Sequence, residues 1–241
     1  MTSVVPFLTV LLLAVPVFAQ VNCTATMEPI DTAAPSQMSP VEFTHAIAAR
    51  EIAMAKAFAT YGYIAEIDVQ TLQGDVVDGA FHRKAKVGFD ASGTKAVKNL
   101  EPVTNTLTRL RLSDKDVEGL VSPPFAITAD NLAEKDAVYS GRQLIDDHNT
   151  SVFDLLPRNE QAPVRGFIGR VWVWTSKSTV LKTCGRSSGF PVGPFRYEIV
   201  RGKVGEENWF PVLIRADEDM RVGDNDVHVR VTAKYSDYAA R

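Results

Sequence analysis

From Tyr61 to its C-terminal end the chain is written largely in a period of two. The clearest stretch comes last: Val227, Val229, Val231, Ala233 and Tyr235 alternate with His228, Arg230, Thr232 and Lys234. Successive side chains of a strand point to opposite faces, so this pattern predicts a strand with one apolar and one polar face. The same alternation predicts strands at residues 61–69 and 81–89, joined by a turn at Gly74–Gly79, and a less regular strand pair within residues 94–112. Further strands are expected at 138–145, 150–156, 167–174, 179–184, 195–200 and 208–216, with turn residues such as Asp146–Asn149 between them. No βαβ rhythm interrupts the series, so the sheet should be antiparallel.

One long segment keeps a helical period instead. Ser39-Pro40-Val41-Glu42 spells a capping box with proline at the first helical position. Phe43, Ile47, Met54 and Phe58, joined by Ala46, Ala53 and Ala57, then form one apolar stripe on a helix of about 20 residues. Ser113–Leu120 reads as a short helix capped by Ser113 and stopped by Pro123-Pro124, and a further helical turn is expected near residues 128–134. The fold class is therefore α+β, with a large antiparallel sheet of about ten or eleven strands covered by one long and one or two short helices.

Residues 1–20 carry no charge and contain Pro6 and Pro16, and Val17-Phe18-Ala19 ends the apolar run in a small-residue cleavage signal. Residues 1–19 are read as a secretory signal peptide rather than a transmembrane span, although the stretch lacks the basic residue usual at its start. Val21-Asn22 before Cys23 is a poor lipidation signal. Residues 20–38, rich in Thr, Ala, Pro and Ser, are read as a mobile leader, and residues 39–241 as a single domain. The two cysteines, Cys23 and Cys184, form an even number in an oxidising compartment, so a disulfide and two free thiols both stand. A bridge would close a loop of about 160 residues. Two cysteines and four dispersed histidines make no zinc site. A net charge of −3 without a basic stripe excludes nucleic acid as partner.

Gly185-Arg186-Ser187-Ser188-Gly189 spells the Gly-x-Ser-x-Gly of a hydrolase elbow. Such an elbow needs a helix immediately after it, and Phe190-Pro191-Val192-Gly193-Pro194 cannot build one. His228 lies on an alternating strand, a polar-face residue rather than a base. Asp217-Glu218-Asp219 and Asp224-Asn225-Asp226 resemble calcium loops, but Arg221 sits at a ligand position, and a solvated hairpin connection explains them. Asp146-Asp147-His148 reads as a polar hairpin turn, and Glu198, Glu206 and Glu207 have no context that marks glycoside chemistry. No catalytic residue, metal ligand or cofactor is expected. What stands out is aromatic: Trp172 and Trp174 share one face of a strand whose other face carries Val171 and Val173.

Arg165-Gly166-Phe167-Ile168-Gly169-Arg170-Val171-Trp172-Val173, followed by Val180-Leu181-Lys182-Thr183-Cys184-Gly185, resembles a strand pair of the outer-membrane lipoprotein-sorting, LolA/LolB-like group of exported proteins. Asn208–Pro211, Arg215–Asp217 and the closing Val227–Tyr238 are similar to its last strands, and Tyr139–Gly141 with Val152–Pro157 to its middle hairpin. The resemblance implies a curved half-barrel over which helices fold as a lid, enclosing an apolar cavity for acyl chains. It points to a periplasmic, non-enzymatic carrier or sensor whose partner is a lipid or an acylated lipoprotein, with an envelope protein and transient membrane contact as further partners. Phe43, Ile47, Met54, Phe58, Trp172 and Trp174 are the candidate cavity contacts. The alternative is an envelope structural or protein-interaction module with a filled core and no ligand.

Overall fold

The computed structural model describes residues 29–123, 125, 127, 132–159, 166–188, 191–192 and 196–241. Helix α1 (Pro40–Phe58) begins where the capping box places it: Glu42 N–H donates to Ser39 Oγ at 3.2 Å, and Ser39 N–H to Glu42 Oε2 at 2.8 Å. Eleven strands follow: β1 (Tyr61–Gln73), β2 (Val76–Phe89), β3 (Lys95–Asn99), β4 (Thr104–Asn105), β5 (Lys135–Ile145), β6 (His148–Pro157), β7 (Phe167–Trp174), β8 (Thr179–Ser187), β9 (Arg196–Val204), β10 (Asn208–Val222) and β11 (Asn225–Ala240). Helix α2 (Asp114–Val121) lies between β4 and β5, starting at a second capping box of Ser113 and Asp116. Residues 132–133 are helical, and residues 128–131 of that expected turn lie outside the described residues.

All strands belong to one antiparallel sheet in the order β3-β2-β1-β11-β10-β9-β8-β7-β6-β5, with β4 pairing β2. The strands from β5 to β11 are a plain meander. The β1–β2 hairpin then joins at β11, with Tyr61 opposite Ala240 and Leu72 opposite His228. The sheet stays open, with β3 and β5 at its two edges. The expected pair within residues 94–112 exists, but β3 and β4 pair in turn with β2 rather than with each other. The turn expected over Gly74–Gly79 is shorter, because β2 already starts at Val76. Gly79 lies inside that strand, where a Cβ would meet Thr71 Oγ1 at 2.8 Å and Leu107 Cα at 3.1 Å. Close backbone approach, not a turn, explains this glycine.

One sheet face is covered by both helices. On α1, Phe43, Ile47, Glu51, Met54 and Phe58 are buried, a spacing of four, four, three and four residues. Phe43 stacks on Phe153 of β6 at 4.1 Å between centroids. Phe58 sits among Tyr63, Phe125, Phe210 and Tyr238, at 5.2, 5.3, 5.3 and 6.2 Å. The connection through α2 crosses the same face. Its last carbonyls, which have no partner inside a helix, are met by tyrosine hydroxyls: Tyr63 donates to Val121 at 3.0 Å and Tyr235 to Leu120. Burial pushes the Tyr63 hydroxyl up to about 12.

The described part of the leader is tied to the sheet edge. Asp31 and Arg142 of β5 exchange backbone hydrogen bonds of 2.8 and 2.9 Å. Tyr139 Oη donates to the Ala34 carbonyl at 2.9 Å, and Thr175 Oγ1 to Gln37 Oε1 at 2.8 Å. The crossing needs Gly141, whose φ is +134° and whose Cβ would lie 2.5 Å from the Asp31 carbonyl oxygen. Cys184 is disulfide-bonded. The chain's other cysteine, Cys23, lies outside the described residues.

Candidate functional site

Where α1 meets the strand ends there is a pocket of about 630 Å³. Its walls are Arg50 of α1, His148 at the start of β6, Trp174 at the end of β7, Lys177 and Thr179 just beyond it, Lys203 of β9 and Trp209 of β10. Glu206 and Glu207, on the turn from β9 to β10, complete the rim. The two indoles meet edge to face, 6.0 Å apart at 72°, and the His148 ring lies 4.3 Å from Trp174 and 5.2 Å from Trp209. Strand termini bring these rings together: Trp174 is the last residue of β7, His148 the first of β6 and Trp209 the second of β10. A second pocket of about 380 Å³ shares His148 and Trp174 and is bordered by Gln37 of the leader. The larger pocket thus combines three aromatic rings with three cations and two carboxylates.

Beside the pocket, α1 is bound to the sheet by an ion pair inside the core. Glu51 accepts two hydrogen bonds of 2.6 Å from Arg201 of β9, and both side chains are 2% exposed. The Arg201 guanidinium also lies 4.9 Å from the centre of the Phe125 ring. Paired, such charges hold two elements in register, whereas either one alone would be costly. Sequence reasoning missed this pair. The signal was there, because Glu51 falls on the Phe43–Phe58 stripe four residues after Ile47.

The sequence-derived contacts separate in the structure. Phe43, Ile47, Met54 and Phe58 are 0, 0, 2 and 6% exposed and pack as the inner face of α1. Trp174 reaches the pocket. Trp172 does not: Val171, opposite Phe153 in register, shares the side on which Phe43 stacks, so Trp172 points to the other face. There its indole donates to Gln143 Oε1, and the Lys182 ammonium lies 5.0 Å from its ring. Trp209 falls within an expected strand, and its place in the pocket has no sequence signal.

The face away from the helices is a lattice of charges. Lys182 and Arg215 both pair with Glu198, and Arg170 with Asp154 at 2.8 Å. His82 lies between Asp68 and Glu101 at 2.7 and 2.6 Å, and His228 between Asp219 and Asp217 at 2.8 and 2.5 Å. Hydrogen bonds to these carboxylates raise both imidazoles above the usual histidine range. Asp217, Glu218 and Asp219 are strand residues of β10 rather than the hairpin connection expected for them, since the chain turns at Gly223-Asp224. Ser187 is the last residue of β8, and among the described residues the next element is β9; residues 189–190 and 193–195, which follow the Gly-x-Ser-x-Gly serines, lie outside the described residues.

No family model matches the sequence, and no curated protein does. Solved structures are similar in architecture. A DUF1329 family protein from Desulfovibrio piger is 12% identical with a TM-score of 0.40, covering 84% of this chain and 94% of that one. A LolA superfamily protein from Nitrosomonas europaea is 14% identical, with a TM-score of 0.33 and coverage of 80% and 93%. An outer membrane lipoprotein-sorting protein domain from Vibrio parahaemolyticus is 10% identical, with a TM-score of 0.37 and coverage of 81% and 91%. Among the described residues no helix is long and apolar enough to cross a membrane.

Proposed function

We propose that this protein is an exported envelope carrier or sensor that binds lipid or the acyl chains of a lipoprotein between α1 and the sheet, without catalysing a reaction. The observation that carries this reading is the pocket of about 630 Å³ at the border of α1, walled by Trp174 and Trp209. An alkyl chain laid against those rings gains about 0.8 kcal/mol for each methylene it removes from water. The pocket is the mouth, and α1 is the cover. As more chain is taken up, Phe43, Ile47 and Met54 exchange contacts with the sheet for contacts with the ligand, while Phe58 keeps its aromatic neighbours. The sequence resemblance of residues 138–238 to lipoprotein-sorting proteins supports the same reading.

Native mass spectrometry of protein purified from its own envelope tests it, with a co-purifying lipid as the expected result. Trp174→Ala should keep the fold, since Trp174 is only half-buried, and lose the lipid. A second reading, an interaction module with a filled core, is favoured by the ring packing around Phe58. A ligand-free mass together with no uptake of a fluorescent fatty acid would establish that reading instead.

A further inference from the structure

Several cations elsewhere in the molecule are matched to carboxylates, as with Arg201–Glu51, Arg170–Asp154 and Arg109–Asp78. The pocket is different. Arg50, Lys177 and Lys203 all border it, and none of the three is in an ion pair among the described residues. Arg50 is the inner one. Its Nη2 donates to the Glu207 carbonyl at 2.7 Å, while its Nε–H is shielded from solvent and has no hydrogen-bond partner among the described residues. A shielded donor without an acceptor is a standing cost, greater when the group is charged, and an anion placed there would remove it. A guanidinium also fits the two oxygens of a carboxylate or phosphate in a fixed geometry. Glu206 and Glu207 share the rim but are exposed, so water and salt screen them, whereas the Arg50 Nε is sheltered.

We propose that the pocket selects amphiphiles by an anionic headgroup, a phosphate or carboxylate held by Arg50 with Lys203 and Lys177 at the mouth, while the attached chain runs along Trp174 and Trp209. The chain-binding half of this statement rests on the carrier reading above; the anion-binding half does not. Calorimetric titration of the full chain with three probes separates them: dodecyl phosphate and dodecyl maltoside, both below micelle-forming concentrations, and inorganic phosphate.

The expected result is that dodecyl phosphate binds about tenfold more tightly than dodecyl maltoside, the size of one charge-assisted hydrogen bond. Arg50→Gln should erase that preference, weakening dodecyl phosphate about tenfold more than it weakens dodecyl maltoside. Lys203→Gln, at an exposed position that does not endanger folding, should shrink it a few-fold and more so at low salt. Equal affinity for the two amphiphiles would overturn the headgroup site and leave the carrier reading standing. Binding of inorganic phosphate alone, with neither amphiphile bound, would keep the anion site, identify a free phosphate as its ligand and remove the carrier reading. Silence from all three probes would remove both.

Discussion

The two ends of α1 are anchored by different physics. At its C-terminal end Phe58 is wrapped by Tyr63, Phe125, Phe210 and Tyr238, and the Lys95 ammonium lies 5.2 Å from the centre of its ring. The N-terminal half has one comparable contact, Phe43 on Phe153, and then opens at Arg50 into the pocket. A helix held this way can yield at its first half without losing its anchor. The Glu51–Arg201 pair sits between the Phe43–Phe153 contact and the Phe58 cluster, and the pocket opens beside it at Arg50.

Phe58→Ala should therefore be the most damaging change, costing about 4 kcal/mol in urea unfolding, since the cavity it leaves is ringed by aromatic side chains that cannot all collapse. A cost similar to that of a surface mutation would erase the contrast between the ends. Glu51→Ala should cost about 3 kcal/mol, because it strands the Arg201 charge in the core. Replacing both partners with methionine should return stability close to that of the parent. If the double variant were as unstable as the single one, the pair would be setting the position of α1 and not merely neutralising itself.

Smaller effects belong to the N-terminal end. Ser39→Ala removes the side chain that caps the helix and should cost about 1 kcal/mol. The hydrogen bond from the Ser39 backbone N–H holds the Glu42 carboxyl below its usual range. A lowered folded value means the carboxylate's support is complete above the ordinary carboxylate range and fades as pH falls through the lowered value. The protection factor of the Ser39 amide, its exchange rate relative to the intrinsic rate at the same pH, should fall on acidification while those of the amides around Phe58 do not change. A uniform loss of protection along the helix would show that α1 opens as one unit.

The same helix shows how much was legible beforehand. Its start could be read from Ser39, Pro40 and Glu42, and its buried face from Phe43, Ile47, Met54 and Phe58, because capping and periodicity are local properties of the chain. Glu51 was visible on the stripe but carried no clue to its partner, since Arg201 lies 150 residues away. Asp146-Asp147 was rightly a tight turn, and both residues take positive φ, 44° and 63°, as two-residue hairpin loops require. The β7 strand shows the opposite outcome. Alternation separated Trp172 and Trp174 from Val171 and Val173, yet it had no means of saying that Val171 would meet the helix while Trp174, at the strand end, would border the pocket with Arg50.

By itself, then, the sequence determined that this chain makes a capped helix and a series of antiparallel strands, because each element is specified by residues a few positions apart. Tertiary structure alone decided that β1 would lie beside β11, that Val171 rather than Trp172 would face α1, and that Arg50, His148, Trp174 and Trp209 would border one pocket. Those outcomes depend on how far each strand is shifted and which edge it joins, and such choices are settled by the burial of whole faces rather than by any local pattern.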